Sequence, residues 1–295
     1  MMNQEELVAI PLFIFMGYLT EQAGLMERLF RAFRDMLAPV RGSLYLGVIL
    51  TATVFAMATG IVGAAVTVLG IMAAPIMIKS GYDARMASGA IAAGGTLGIL
   101  IPPSVMLIVM GPVLGVSVSD LYAAAFGPGF LLASMYIVYT LVRSFINPKL
   151  GPPVPYEERV HDRMLIAKEV FLGIVPLGLL IGATLGSILA GIATPTEAAA
   201  VGAMGAFLLS VAYGRLSFAG LKAACVSTMN TSSMVLFLAV ASNIFGAVFA
   251  RLGTAQWITD TLLALPLPPF LMLLLVLFLI FLLGWPFEWP AIVLV

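Results

Sequence analysis

The chain has 295 residues, of which 62% are hydrophobic and 9% are charged, and its formal net charge at pH 7 is zero. This composition, with a mean hydropathy of +1.12, excludes an ordinary soluble domain, in which about half of the residues are apolar and about a quarter are charged. The balanced charge argues against a nucleic-acid partner, and a single cysteine and a single histidine exclude a disulfide framework and a Cys/His metal cluster.

The first predicted elements are an apolar span, Leu7–Ala23, and an amphipathic helix, Leu25–Ala38. Three arginines share one side of this helix, Arg28, Arg31 and Arg34, and apolar residues occupy the other. The pattern predicts a helix that lies in the membrane interface on the cytoplasmic side. Its arginines are expected to contact the headgroups of membrane lipid.

Two further apolar stretches, Leu44–Ala58 and Ile61–Ile78, are separated by a short tip, Thr59–Gly63. They are either two full spans or a re-entrant hairpin, and the count of crossings does not decide between them. The tip is rich in glycine and carries no charge, which favours the hairpin.

The next segment, Met86–Gly115, contains no acidic, basic or histidine residue. An unbroken helix of this length would measure about 45 Å, against a hydrocarbon core of about 30 Å. Gly95 and Gly98 weaken the helix, and Pro102 and Pro103 remove two backbone donors. The segment is therefore predicted to be one crossing made of two half-helices, the arrangement with which secondary transporters build ion and substrate sites.

The remaining predicted elements are a span, a polar loop and four further apolar segments: Leu121–Val142, Arg143–Lys168, Val170–Leu189, Pro195–Tyr213, Val226–Ala250 and a last run from Phe270. All the loops rich in lysine and arginine fall on one side, the cytoplasmic side, if Met86–Gly115 crosses once. The charge distribution thus supports a single broken helix independently of the glycines.

A weak internal repeat has an offset of roughly 229 positions, because Val235–Phe249, a short Trp257–Leu265 helix and Pro268 parallel Leu12–Gly24, the amphipathic helix and Pro39. Three arginines lie on the first short helix, whereas the second carries an aspartate and no basic residue. An inverted repeat with basic residues kept on the cytoplasmic side predicts this asymmetry.

Four motifs carry a family resemblance: Ile10–Gly17, Lys79–Asp83, Gly94–Ser104 and Thr194–Ala200. In these motifs the chain resembles the large membrane subunit of TRAP transporters (DctM-like). The resemblance implies a multi-pass protein of the bacterial inner membrane, a sodium-coupled elevator-type carrier that imports organic acids or related solutes and uses no other cofactor. It also implies two partners, a small membrane subunit (DctQ-like) and a periplasmic solute-binding protein (DctP-like). Family members are longer at both ends, so the chain is expected to be truncated.

The expected fold is an all-α polytopic membrane protein with inverted repeats, a re-entrant hairpin, a broken helix and interfacial amphipathic helices. Residues 1–41 would form the first span and an interfacial arm helix, and residues 42–120 the hairpin and broken helix of the transport part. Residues 121–168 would add a span and a cytoplasmic loop. Residues 169–295 would form the second repeat, with an incomplete hairpin at its end.

The hairpin tip and the break are expected to meet and to bind sodium, which as a hard cation prefers oxygen ligands. The predicted sodium ligands are backbone carbonyls and hydroxyls of Thr59, Gly60, Gly63, Thr96, Gly98, Pro102 and Ser104. Predicted substrate contacts are Gly95, Pro103 and Glu288. The alternatives are structural: a helix cap for Glu197, an interfacial position for Glu288, and close helix packing for Gly89, Gly94, Gly95 and Gly98.

The sequence does not favour an enzyme, because a membrane-embedded enzyme needs a nucleophile and base, or a metal pair, at membrane depth. The alternative to a carrier is a channel or a structural membrane subunit without coupled transport. That alternative would explain the glycine-rich helices but not the inverted repeat.

Overall fold

The computed structural model describes residues 5–60, 62–154, 159, 162–286 and 292, and these contain helices and turns but no strand. The all-α polytopic fold is therefore confirmed. A 3-10 turn at Glu5–Val8 precedes the first helix. The helices are α1 Ala9–Gln22, α2 Leu25–Leu37, α3 Ser43–Thr59, α4 Val62–Lys79, α5 Ala84–Leu100, α6 Val105–Leu114, α7 Val118–Ile146, α8 Arg163–Ile181, α9 Ser187–Leu189, α10 Pro195–Ala212, α11 Phe218–Arg251, α12 Thr254–Leu263 and α13 Pro269–Leu283. A π-helical turn, Gly182–Gly186, joins α8 to α9.

Among the described residues, five helical segments are long and apolar enough to cross a membrane: Ala84–Leu114, Val118–Ile146, Met164–Leu189, Pro195–Ala212 and Phe218–Phe249. The first of these joins α5 and α6, as expected for one broken span. The α1–α2 pair, bent by 58°, is a sixth candidate if it is counted as one span.

Two apolar clusters hold most of the described helices together. The first surrounds α1, whose Ile10, Phe13 and Ile14 are almost completely buried. Here α10 approaches α1 so closely at Gly202 that a Cβ at this position would overlap Met16. The second cluster joins the α3–α4 pair to α2 and α5.

The polar connection after α7 is shorter than predicted, and the predicted Arg143–Lys168 boundary is wrong. Helix α7 continues through Arg143 to Ile146, and α8 begins at Arg163. Long basic side chains at a helix end extend their charge toward water, so they do not end the helix. The carboxylate of Asp162 then caps α8 by accepting the amide of Met164 at 2.9 Å.

Helix α11 also differs from the predicted span, Val226–Ala250, because it begins at Phe218. Lys222 interrupts the apolar pattern but not the helix, for the same reason that Arg143 does not end α7. In its first turn, the amide of Gly220 donates to the hydroxyl oxygen of Ser217 at 3.0 Å. Apolar patterning therefore underestimated the length of this helix at its first turns.

Helix α2 forms as predicted, but its apolar side is covered by protein. Leu25, Leu29 and Phe30 are fully buried, where α2 packs against α3 and α8. On the polar side, the Arg28 guanidinium lies 4.7 Å from the ring centroid of Tyr213. The apolar side of α2 thus has a protein partner. The interfacial position of α2 and the headgroup contacts of its arginines remain predictions.

The backbone supports the internal repeat at two corresponding positions. A left-handed glycine precedes each short helix, Gly24 with φ 69° before α2 and Gly253 with φ 70° before α12. The predicted 229-position offset separates these two glycines, and it also separates Pro39 from Pro268. Glycine adopts this conformation without a steric penalty. The same turn chemistry thus recurs in both halves.

Candidate functional site

The tip of the α3–α4 pair lies against the break between α5 and α6. Gly60 ends α3 with φ +61°, and its amide donates to the carbonyl of Ala56 at 3.1 Å. A Cβ at Gly60 would lie 2.7 Å from the carbonyl oxygen of Pro103 and 3.4 Å from Cα of Ser104. Only glycine fits this position, for conformational and steric reasons together. The two segments therefore meet where the sequence predicted that they would.

The α3–α4 pair enters and returns at the end where α5 begins. The amide of Leu44, at the start of α3, donates to the Tyr82 hydroxyl at 3.2 Å, and the Tyr82 amide donates to the carbonyl of Met77, near the end of α4. Helices α3 and α5 each have 17 residues, so the tip reaches the depth of the break. This geometry supports the re-entrant hairpin over two full spans.

The break itself is buried and has an extended backbone at Ile101 and Ser104. The Pro102–Pro103 peptide bond is cis. Neither proline has an amide hydrogen to donate to the carbonyl four residues earlier, which belongs to Gly98 for the first and Ile99 for the second. The Ser104 hydroxyl donates to the Ile99 carbonyl instead.

Ser104 is fully buried, and its hydroxyl oxygen keeps lone pairs that can accept or coordinate. The break therefore offers the Gly98 carbonyl and the Ser104 oxygen as uncharged oxygen ligands. Sequence reasoning missed the Ile99 carbonyl, although one signal was available. A proline that follows a helix leaves the carbonyl four residues before it without a hydrogen-bond donor.

Two of the predicted glycines are packing positions. A Cβ at Gly94 would lie 3.0 Å from Cβ of Ala52 on α3, and a Cβ at Gly95 would overlap Cγ2 of Val66 on α4. The hairpin arms therefore contact α5 directly through these glycines, as the close-packing alternative for the glycines expected. The role of Gly95 in substrate binding remains a prediction.

Four of the remaining predicted site residues are either exposed or outside the described residues. Thr96 is exposed on α5, and its hydroxyl donates to the carbonyl of Ala93 at 2.7 Å. Gly63 is exposed in the first turn of α4, with no atom within 4 Å of where a Cβ would lie. Glu288 and the side chain of Thr59 lie outside the described residues. The geometry thus brings together Gly60, Pro103 and Ser104, whereas Thr96 and Gly63 are exposed.

Glu197 forms the predicted capping box at the start of α10. Its carboxylate accepts the Thr194 amide at 2.8 Å, and the Thr194 hydroxyl oxygen accepts the Glu197 amide at 3.3 Å. Pro195 occupies the first helical position, as such boxes favour. The capping interpretation of Glu197 is confirmed.

Comparison with known proteins gives the same family over the whole chain. The family model described as the DctM component of tripartite ATP-independent periplasmic transporters matches residues 1–295. The sialic acid TRAP transporter large permease protein SiaM of Vibrio cholerae is 31% identical, over 98% of this chain and 66% of its own length. The C4-dicarboxylate TRAP transporter large permease protein DctM of Rhodobacter capsulatus is 30% identical, over 85% of this chain and 59% of its own.

A third relative is the ectoine TRAP transporter large permease protein TeaC of Halomonas elongata, 28% identical over 84% of this chain and 57% of its own length. The chain thus spans between 57% and 66% of the length of these three relatives. All three are permease proteins of transporters and not enzymes.

Proposed function

We propose a transport function for this chain, which belongs to the DctM family of tripartite ATP-independent periplasmic transporters. It is a multi-pass protein of the inner membrane. The proposed activity is that of a large permease subunit which imports organic acids or related small solutes and couples their entry to sodium. The observation that carries this proposal is the contact of the hairpin tip at Gly60 with the break at Pro103 and Ser104.

Helix ends converge at this contact, and their dipoles favour opposite charges. The C-terminal ends of α3 and α5 present carbonyl groups, which attract a cation. The N-terminal end of α6 presents amides, which attract an anion, and the amide nitrogen of Val105 would lie 3.5 Å from a Cβ at Gly60. Discontinuous helices of secondary transporters use their ends in this way.

The chemistry of the ligands at the break fits sodium. The Gly98 carbonyl has no helical donor, because Pro102 lacks an amide hydrogen. Ser104, which follows the two prolines, is fully buried. No group of three or more His, Cys, Asp or Glu side chains that could hold a metal occurs in the part of the chain that the structure describes. Uncharged oxygens suit a hard monovalent cation better than a transition metal.

The solute and the partners are proposed from the family. The relatives are named for a C4-dicarboxylate, sialic acid and ectoine, so the proposed solute class for this chain is small organic acids and related compounds. A carboxylate would sit at the amide end of α6, beside the sodium ligands. We infer that the chain works with a small membrane subunit and a periplasmic solute-binding protein, as the tripartite family name implies.

The test is solute uptake by the full protein, reconstituted with the proposed small membrane subunit and binding protein of its own transporter. The first probes are a radiolabelled C4-dicarboxylate and radiolabelled sialic acid, the solutes for which two of the relatives are named. The variant Gly60→Ala is expected to lower sodium-driven uptake about tenfold or more, because a left-handed conformation costs a residue with a Cβ about 1–2 kcal/mol and the methyl group meets Pro103.

The matched control is Gly70→Ala in α4, where a Cβ would meet no atom within 4 Å, and it should transport normally. Uptake that saturates and stops when the sodium gradient is replaced by a potassium gradient supports the coupled carrier. Uptake that is indifferent to sodium and does not saturate would instead identify a channel.

A further inference from the structure

A groove of about 790 Å³ lies between α5 and α7. Fully buried Ile49 of α3 contributes to its lining, and Leu132 and Met135 line it from α7. The groove opens along an apolar surface, since Met135 and Tyr139 are each 60% exposed. Its volume is that of a typical ligand pocket, and its lining is mainly apolar.

Charged groups line this groove together with the apolar residues. Arg85 comes from the first turn of α5 and Arg143 from the last turn of α7. Within the part of the chain that the structure describes, neither arginine forms an ion pair. The one carboxylate in the lining, Asp83, caps α5 by accepting the Met86 amide at 2.8 Å. The lining therefore carries two guanidinium groups and one carboxylate, and that carboxylate already accepts a hydrogen bond from the helix it caps.

Small residues on α5 leave the space for an occupant. Gly89, Ala90 and Ala93 line the groove along one side of the helix, and a Cβ at Gly89 would meet no atom within 4 Å. The space beside the packing glycines Gly94 and Gly95, in contrast, is occupied by side chains of the hairpin. The space beside Gly89 is thus not used for contact between helices.

We propose that this groove binds one anionic phospholipid, with its phosphate between Arg85 and Arg143 and an acyl chain against Gly89, Ala93 and Met135. Basic pockets between membrane helices at the cytoplasmic surface suit such headgroups, and tyrosines are favoured at the same depth. The loops rich in lysine and arginine place this end of α5 and α7 on the cytoplasmic side. A solute in transit would not need the long apolar wall. None of the residues at the contact of Gly60 with the break lines the groove, so the lipid site is independent of the proposed transport site.

The test is lipid retention by the full chain, extracted from its membrane and measured by native mass spectrometry with added phosphatidylglycerol or phosphatidylcholine. The double variant Arg85→Gln/Arg143→Gln is expected to weaken phosphatidylglycerol retention about 30-fold, the loss expected for two arginines at an anionic surface. Retention of phosphatidylcholine should not change. The matched control is Arg41→Gln/Lys168→Gln, which removes two exposed basic residues that do not line the groove.

A second variant tests the acyl position. Gly89→Leu adds a side chain to the groove at a position where a Cβ meets no atom within 4 Å, and it should abolish retention of both lipids. Gly178→Leu, at an equally open glycine of α8, should retain them. Thermal unfolding of each variant checks that the chain is folded. Equal phosphatidylglycerol retention by the double arginine variant would overturn the proposal. So would the release of a co-purified protein, instead of lipid, by Gly89→Leu, because the groove would then be a protein interface.

Discussion

At the break, the Ser104 side chain replaces one of the two backbone donors that the prolines lack. Two consecutive prolines remove two amide donors, and a buried carbonyl without a donor is costly. The Ser104 hydroxyl supplies one donor, to Ile99, and leaves the Gly98 carbonyl for another ligand. The sequence Pro-Pro-Ser thus interrupts the helix, supplies a donor to one of the two carbonyls and leaves the Gly98 carbonyl oxygen available.

Replacing Ser104 by alanine should therefore affect stability and sodium dependence together. We expect Ser104→Ala to lower the free energy of unfolding by about 1 kcal/mol, because the partly buried Ile99 carbonyl loses its donor. The sodium concentration for half-maximal uptake should rise, because a ligand oxygen is removed. Thermal unfolding and uptake at graded sodium concentrations measure the two effects.

Ser134→Ala is the control for this prediction, since Ser134 is exposed and its hydroxyl donates only to the Phe130 carbonyl of its own helix, at 2.7 Å. It should change neither quantity. A Ser104→Ala protein that is destabilised but keeps the sodium dependence of the native chain would show that the hydroxyl is structural alone.

Local signals made the break and the capping box predictable, because prolines and a Thr-Pro-Thr-Glu run act on their own backbone. The break at Pro102 and Pro103 lies where the sequence placed it, and so does the cap at Glu197. The roles of Gly63 and Thr96 depend on which way the helix faces, and nothing in the local pattern fixes that. Both are exposed in the structure, and their roles as ligands remain predictions.

The hairpin and the broken helix are held together by small residues on α5. Gly94 receives Ala52 of α3, and Gly95 receives Val66 of α4, so both arms approach the backbone of α5. Close approach through small residues is how membrane helices gain packing energy where no hydrophobic driving force separates them from lipid. This packing fixes the depth at which the tip meets the break.

A double substitution tests this packing directly. Gly95→Ala should lower the free energy of unfolding by about 1–3 kcal/mol, because the added methyl overlaps Val66 in a packed interface. Val66→Ala removes the overlapping atom, so the double variant Gly95→Ala/Val66→Ala should recover most of that loss. Thermal unfolding of the two single variants and the double variant measures the coupling.

Gly70→Ala again serves as the reference, at a glycine of α4 with open space around it. If Val66→Ala fails to restore the stability of Gly95→Ala, the destabilisation does not come from this contact. The hairpin would then be held against α5 by its other arm, through Ala52.

Sequence reasoning missed the partners of α2, which are distant in sequence, and the π-helical turn after α8. The apolar side of α2 fits lipid and protein equally well, and only the fold shows that α3 and α8 cover it. The π-helical turn Gly182–Gly186 lies inside an apolar run, and hydrophobic periodicity over so few residues does not separate a π turn from an α turn.

At the scale of the whole molecule, the connection after α7 ties three elements together at one end. Its backbone pairs with the end of α2, the start of α3 and the start of α5, through Val154 with Ala38, Gly151 with Gly42 and Leu150 with Asp83. The Tyr45 hydroxyl also donates to the Leu150 carbonyl, at 2.6 Å. The base of the hairpin and the first end of the broken helix are therefore held on the same side as Arg143.

This arrangement makes a topological prediction about the two ends of the α5–α6 segment. If α5 and α6 together cross once, Val116 in the turn after α6 and Lys149 in the connection after α7 lie on opposite sides of the membrane. Both residues are exposed, and Lys149 adjoins the residue that pairs with Asp83, at the start of α5. The exposed native cysteine, Cys225, is first replaced by serine, and Val116→Cys or Lys149→Cys is then introduced singly.

An impermeant thiol reagent added from the periplasmic side should label Val116→Cys in intact cells and Lys149→Cys only after the membrane is disrupted. The physical reason is that basic loops stay in the cytoplasm, and Lys149 lies in such a loop whereas the turn at Val116 carries no lysine or arginine. Labelling of both positions from one side would mean that α5 and α6 enter and leave the membrane on the same face. The break would then be the tip of a second hairpin, and the contact with Gly60 would join two re-entrant segments instead of a hairpin and a span.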